Sequence, residues 1–365
     1  MATALVFGAN GVSGLAMLEA LSATPASEWK KIIAISRRPP VLEHKDSRIV
    51  FASVDLLAVK DEVVAKLKEA GAADATHTFF YAYVAKEEEQ ELVDVNRKLF
   101  NTALEAVAKV APNHRVVSLQ TGYKYYGTHR GGKDLAPYPW KADSPRHEGQ
   151  NFYYVQEDML KEACAKHGWK WIGNFMSLAT TVALYASGRK ELGEPLVFPG
   201  SSLSYNLEYD HSTASNNAAF QLYAALNDKA ANRTFNIHDS RPSTWAQLWP
   251  KIADYFGVPL ASPPADPAPS GAVQGSSVTI VHPSTSWASS HTDELQRWVK
   301  ANDLDPRALE YATWDFLDFG TARTWPDVAT LDEARSIGWD RKIDTFEEGY
   351  RKVFDALKAH KIIPA

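Results

Sequence analysis

Short runs of β-branched and aromatic residues alternate with helix-length amphipathic stretches through the first 180 residues. The runs are ATALVFGA, KKIIAIS, RIVFASVD, THTFFYAY, HRVVSLQ and WKWIGNF, and between them lie segments such as VKDEVVAKLKEAG and NRKLFNTALEAVAKV. This rhythm builds βαβ units, in which a parallel sheet is covered by helices on both faces. The expected fold is therefore α/β, a Rossmann-type doubly wound parallel sheet. Beyond about residue 180 the alternation fails. Helical segments such as ASNNAAFQLYAALND, WAQLWPKIADYFG and FEEGYRKVFDALKAHK dominate, with one clear strand at RTFNIHD. The expected organisation is a dinucleotide-binding domain over 1–180, with a possible returning strand near 233–240, and a mainly helical substrate lobe over 181–365. Residues 262–291 hold five prolines among serines and alanines and read as a long irregular loop.

The first strand runs into LVFGANGVSG, with glycines at 8, 11 and 14. A strand, a glycine-rich turn and a helix start allow backbone N–H groups to approach a pyrophosphate at the positive end of the helix. Gly8 permits the tight turn, Gly11 the close approach and Gly14 the packing of helix on strand. With Asn10 and Val12 they form the expected phosphate loop. A glycine loop alone is also a simple turn; its place after a first strand favours a dinucleotide.

The end of the second strand bears on which dinucleotide. An NAD-preferring fold usually places Asp or Glu there for the ribose hydroxyls. This chain reads Ser36-Arg37-Arg38. A hydroxyl and two guanidinium groups suit a 2′-phosphate, so the expected cofactor is NADPH. The competing reading is a solvated basic turn before Pro39-Pro40. Asp55 and Leu56, after the third strand, are expected to flank the adenine. Tyr81 and Ala82 close the fourth strand near the nicotinamide ribose, and Thr121 and Gly122 follow the fifth.

Many reductases of this architecture carry a Tyr and, four residues later on the same helix, a Lys. The Lys holds the ribose and lowers the Tyr pKa. The helix starting at NFYYVQEDML lacks it: Glu157 follows Tyr153 by four, and Asp158 follows Tyr154 by four. TGYKYYG at 121–127, NFYYVQEDML at 151–160 and the terminal LKAHKIIP together resemble the progesterone 5β-reductase/iridoid synthase group of extended short-chain dehydrogenases. The resemblance runs from Leu5 to the C-terminus, with 262–291 looking like an insertion. It implies that Tyr153 and Lys124 form the active pair, and that the reaction is NADPH-dependent reduction of a C=C bond conjugated to a carbonyl. Two positions depart from the broader pattern. Gly122 stands where many extended relatives carry a catalytic Ser or Thr, with Thr121 and Ser118 close in sequence. Gly173-Asn174-Phe175 stands where they have Arg-Pro-Gly, a segment expected to line the nicotinamide pocket.

Other classes find less support. A formal net charge of -5 over 365 residues gives no basic footprint for nucleic acid or a membrane surface. No apolar run approaches the roughly 18 residues of a spanning helix. A single cysteine, Cys164, allows no intrachain disulfide, and with a first strand at about Ala2 a cytoplasmic protein is expected. The histidines show no HExxH spacing, so no metal is expected, and no GxSxG elbow points to a hydrolase. His211 after Asp210 reads as local helix-start chemistry. The tryptophans of the C-terminal half read mostly as core, and the KEEEQE run as a solvated helix face. The expected partner is a small apolar carbonyl compound, acted on by a monomer or homodimer. Two alternatives stay open: a carbonyl reductase or epimerase-like enzyme of the same fold, and a non-catalytic NADP sensor.

Overall fold

The computed structural model describes residues 1–42, 45–130, 135–174, 179–239, 241–265 and 280–365. Its centre is a seven-stranded parallel sheet. The strands are β1 (Ala2–Phe7), β2 (Trp29–Ser36), β3 (Ile49–Ser53), β4 (His77–Phe80), β5 (Val116–Gln120), β6 (Lys170–Asn174) and, after the short β7 (Glu208–Tyr209), β8 (Arg233–Thr234). Their order is β3-β2-β1-β4-β5-β6-β8. β7 instead pairs antiparallel with β9 (Ser243–Thr244). The direction of strand addition reverses between β1 and β4. In open parallel sheets that reversal leaves a crevice at the carboxyl ends of the strands, where ligands bind.

The inner strands are buried along almost their whole length, which is why they read as continuous apolar runs rather than alternating ones. Helices α1 (Val12–Ser22), α2 (Lys60–Glu69), α3 (Glu89–Val110) and α4 (Phe152–His167) occupy the crossovers. On α3, Val93, Phe100, Ala103, Val107 and Val110 recur at helical spacing and face the sheet. The KEEEQE run at its start is exposed throughout.

Past α5 (Ala179–Glu191) and α6 (Ser202–Asn206), the chain returns to the sheet. Helix α7 (Ala214–Ala225) packs against α1 on one face, and β8 pairs in parallel with β6. Helices α8 (Trp245–Phe256), α9 (Ser284–Ser290), α10 (Thr292–Ala301), α11 (Trp314–Ala322), α12 (Asp332–Ser336) and α13 (Arg351–Ala359) complete the second half. Trp245, Trp249, Trp287 and Trp298 are buried in one core there, with Tyr185 and Phe198. Trp325 belongs to a separate aromatic cluster with Tyr125, Tyr126, Trp140, Phe152, Tyr153 and Tyr154.

The irregular loop expected over 262–291 ends earlier than the sequence suggested, because residues 284–290 form α9. Its first amides are capped from a distance: the Asp318 carboxylate accepts from Ser284 N at 2.6 Å and Thr285 N at 3.1 Å. Residues 266–279 of that expected loop lie outside the described residues.

Candidate active site

The glycine loop turns as a phosphate cradle requires. Gly8 has φ +79°, and a Cβ there would sit 2.8 Å from the Tyr81–Ala82 peptide. A Cβ at Gly14 would reach 2.2 Å from the Gly8 carbonyl oxygen, so α1 can seat on the loop only with glycine there. Gly11 caps α1 without any side-chain acceptor for the helix's first amides. Asn10, Gly11 and Val12 are exposed at this end, Val12 to 57%. Uncapped N–H donors at an open helix N-terminus, under a turn that no Cβ could enter, fit a dinucleotide pyrophosphate.

At the end of β2 the Ser36 hydroxyl donates to the Arg38 carbonyl at 2.7 Å and shapes the turn. Arg37 and Arg38 are exposed, and among the described residues neither guanidinium makes an ion pair or hydrogen bond. Asp55 is exposed and closes a local turn by accepting from Leu57 N at 2.9 Å, while Leu56 is buried.

Tyr81 is held by an arrangement that no local spacing announced. Gln221 of α7 accepts on Oε1 from the Tyr81 hydroxyl (2.9 Å) and from Ser118 (2.8 Å). Its Nε2 donates to Gln120 Oε1 (3.1 Å), and Gln120 Nε2 donates to Ser13 at the start of α1 (2.7 Å). This buried amide chain ties the carboxyl ends of β4 and β5 to the phosphate loop. It also occupies Ser118, a candidate for the displaced catalytic hydroxyl. Thr121 is buried at 5% exposure beside Gly122.

Tyr153 enters on the first turn of α4. Asn151 is the N-cap of that helix, its Oδ1 accepting from Tyr153 N at 3.0 Å. The Tyr153 hydroxyl lies over Gly122, and among the described residues it makes no hydrogen bond. Burial, with the charge of Tyr83 adding to it, pushes the phenol above its ordinary pKa, so it stays neutral and able to donate. Lys124 lies on the single turn Tyr123–Tyr126 that follows Gly122. Burial lowers the pKa of its ammonium group, and Glu89 opposes the shift in part.

The carboxylates in place of the i+4 lysine have partners of their own. Arg146 reaches Glu157 at 2.5 Å and Asp158 at 2.6 Å; Lys161 and the Tyr125 hydroxyl also bind Glu157. Burial pushes the Glu157 carboxyl up, but Arg146 and Lys161 outweigh it and leave the pKa below the ordinary value. Glu157 and Asp158 are thus fixed as anions in an ion-pair network.

His211 is not helix-start chemistry. Thr213 caps α7, accepting from Asn216 N. His211 instead packs its ring against Trp245 and Tyr350. Asp210 accepts from the Tyr123 hydroxyl at 2.9 Å and from Ala329 N at 2.6 Å, which anchors the residue next to Lys124 to the C-terminal half. Of the segment expected to line the nicotinamide pocket, Gly173 lies in β6 facing Thr234, and Phe175 lies outside the described residues. Among the described residues no group of His, Cys, Asp and Glu could hold a metal ion, and no helix is long and apolar enough to cross a membrane.

A family model described as a PRISE-like Rossmann-fold domain matches residues 4–364. The chain belongs to that family. It is 30% identical to the 3-oxo-Delta(4,5)-steroid 5-beta-reductase of Arabidopsis thaliana, covering 99% of this chain and 93% of the relative. It is 33% identical to the (S)-8-oxocitronellyl enol synthase of Nepeta cataria, over 70% and 69% of the two chains. Among solved structures, the UDP-glucose 4-epimerase of Thermotoga maritima aligns with a TM-score of 0.63 at 14% identity, over 98% of this chain and 99% of that one. WbmG of Bordetella bronchiseptica, solved with NAD, gives 0.60 at 13%, over 99% and 95%. The PRISE-like protein is therefore an oxidoreductase on a Rossmann-type fold.

Proposed function

We propose that this PRISE-like protein is an NADPH-dependent ene-reductase that reduces a C=C bond conjugated to a carbonyl. The observation that carries the reading is Tyr153: a buried phenol, kept neutral and without a hydrogen-bond partner among the described residues, with Lys124 on the turn beside it and Glu157, not a lysine, four residues further along its own helix. The names of the Arabidopsis and Nepeta relatives point to the same chemistry.

Arg37 and Arg38 would hold the 2′-phosphate of NADPH and Ser36 the turn that presents them. Gly8, Gly11 and Gly14, with Asn10 and Val12, would hold the pyrophosphate on α1. Asp55 and Leu56 would flank the adenine, and Ala82, Thr121 and Gly122 would lie along the nicotinamide ribose, with Tyr81 braced behind by Gln221. The bound cofactor supplies a hydride to the β-carbon of the substrate.

As the C=C bond is reduced, negative charge gathers on the carbonyl oxygen. A donor aimed at that oxygen stabilises the developing enolate. Tyr153, held protonated by burial, is such a donor, and the Lys124 ammonium adds positive charge nearby. The α-carbon then takes its proton from water, so no relay through an i+4 lysine is needed. A small apolar enone or enal suits the aromatic surroundings of Tyr83, Phe152 and Tyr153.

The deciding experiment follows NADPH consumption with a simple conjugated enone, cyclohex-2-enone, and identifies the product by mass and NMR. A saturated ketone supports the reading. An allylic alcohol would make the protein a 1,2-carbonyl reductase. Replacing Tyr153 by Phe is expected to cost on the order of 10²–10³ in kcat while NADPH still binds, as for loss of one oxyanion donor; unchanged turnover would remove Tyr153 from the mechanism.

A further inference from the structure

A Tyr and a Lys four apart on one helix are spaced by the helix itself. Here the two groups sit on separate elements, and something else must set their spacing. We propose that Asn151 is the positioning residue that does so, with His147 orienting its amide. The inference rests on the Tyr153/Lys124 reading and adds to it.

Asn151 is 5% exposed and uses both ends of its amide. Oδ1 accepts from the backbone N–H of Tyr153 at 3.0 Å. Nδ2 donates to the backbone carbonyl of Lys124 at 2.8 Å and faces Nε2 of His147 at 3.0 Å. One side chain therefore grips the backbones of both active residues. The amide also has only one workable orientation. A flip would set oxygen against the Lys124 carbonyl and N–H against the Tyr153 N–H.

His147 favours that orientation. Since Nδ2 can only donate, Nε2 of His147 must accept, which puts the ring proton on Nδ1, where it donates to the Glu148 carbonyl at 2.8 Å. The neighbouring carbonyl is tied down as well: Tyr154 donates its hydroxyl to Tyr125 O at 2.6 Å and accepts from His147 N at 2.9 Å. The start of α4 is thus sewn to two successive carbonyls of the turn carrying Lys124. Helix capping alone calls for neither of Asn151's Nδ2 contacts, since a cap needs only the acceptor.

Asn151→Asp separates positioning from capping. Aspartate caps as well as asparagine, so the bond to Tyr153 N survives, while an oxygen replaces the donor facing Lys124 O. The expected result is unchanged NADPH affinity and a lowered melting temperature, because the new oxygen faces the Lys124 carbonyl with no donor between them. Hydrogen exchange at 122–126 should be faster without a matching change in the body of α4. With cyclohex-2-enone, kcat should fall by about tenfold or more with little change in KM, since misplacement by about 1 Å can cost on the order of 10²-fold. Should Asn151→Asp fail to fold, Asn151→Ser caps equally but is too short to span to Lys124, and the same results are expected of it.

His147→Gln, which still offers an acceptor, should keep slow exchange at 122–126, and His147→Leu should not. Unaltered exchange in the folded Asn151 variant would overturn the proposal, whatever the substrate. Tyr153→Phe run alongside keeps the two ideas apart. Full activity in Tyr153→Phe would sink the underlying reading, whereas a dead Tyr153→Phe beside a fully active Asn151→Asp would sink this one alone.

Discussion

The hydroxyl of Tyr153 lies over the backbone of Gly122, in a space that a Cβ on residue 122 would enter to within 3.0 Å of the phenol oxygen. The backbone there is extended (φ −155°, ψ 172°), a conformation open to any residue. Glycine is thus needed for the position of the phenol and not for the turn. Gly122→Ala should therefore fold with an ordinary melting temperature and bind NADPH, yet lose roughly tenfold in kcat as the phenol is pushed aside. Steady-state kinetics beside a thermal melt would check this; an alanine variant with full kcat would mean the phenol oxygen has slack.

Lys124 should act through its charge. Burial lowers its pKa from the ordinary 10.5, so the group begins to lose its proton at a less alkaline pH than a free lysine. Stabilisation by the ammonium declines as pH rises through that lowered value. The profile of kcat/KM, which reports ionisations of the free enzyme, should show an alkaline limb below 10.5 in the wild type. Lys124→Arg should remove the limb, because a guanidinium keeps its charge throughout. Lys124→Met should cost on the order of 10²-fold in kcat while the wild-type ammonium is charged, a gap that should narrow as pH rises through the lowered pKa.

Arg37 and Arg38 should decide between NADPH and NADH. A hydrogen bond to a charged group contributes about 1.5–3 kcal/mol, so replacing either arginine with alanine should lower kcat/KM for NADPH by roughly ten- to hundredfold. NADH, which lacks the 2′-phosphate, should be used as well as before. Equal losses with both cofactors would show that the pair shapes the turn rather than reading the phosphate.

Arg146 should matter for stability more than for turnover. Its removal leaves Glu157, only 8% exposed, with Lys161 and the Tyr125 hydroxyl as its remaining partners. Arg146→Met is expected to cost about 1–3 kcal/mol, read as a shift in urea midpoint. An unshifted midpoint would mean that Lys161 and Tyr125 suffice.

Whatever depends on local sequence was legible before the structure. The six leading strands, the glycine loop and the helix starting at NFYY with Tyr153 on its first turn all follow from periodicity and glycine placement. What stayed hidden depends on partners far along the chain. Gln221 braces Tyr81 from 140 residues away, and no spacing rule reaches so far. Helix α9 escaped notice because its cap comes from Asp318 and not from its own flank. The returning strand expected near 233–240 is there, but as β8 it is only two residues long and is held by its pairing with β6, a limit the sequence did not show. Asn151 was not singled out in the sequence, and its second grip, on Lys124, appears only once α4 meets the 123–126 turn.

The balance of buried histidines and aspartates should make the fold acid-sensitive. Burial drives His77 down to about 4, and His114 and His211 to about 3, from the ordinary 6.5. Such groups are neutral in the native state and take up protons on unfolding. Their contribution to stability is complete above about 6.5 and is lost as pH falls toward 4. Asp210 and Asp239 work in the opposite sense. Burial raises both from 3.8 to about 6, so their contribution is complete below 3.8 and is lost as pH rises through 6. Near pH 5 these imidazoles, with His129 also driven down to about 4 by burial, outweigh the two carboxyls, giving a net uptake of protons on unfolding. The melting temperature should therefore fall steadily from pH 6.5 to 4.5. His114→Gln, which keeps a hydrogen-bonding group for Thr78, should flatten that fall. A melting temperature that is flat or rising over this range would mean that the buried aspartates, and not the histidines, govern the acid response.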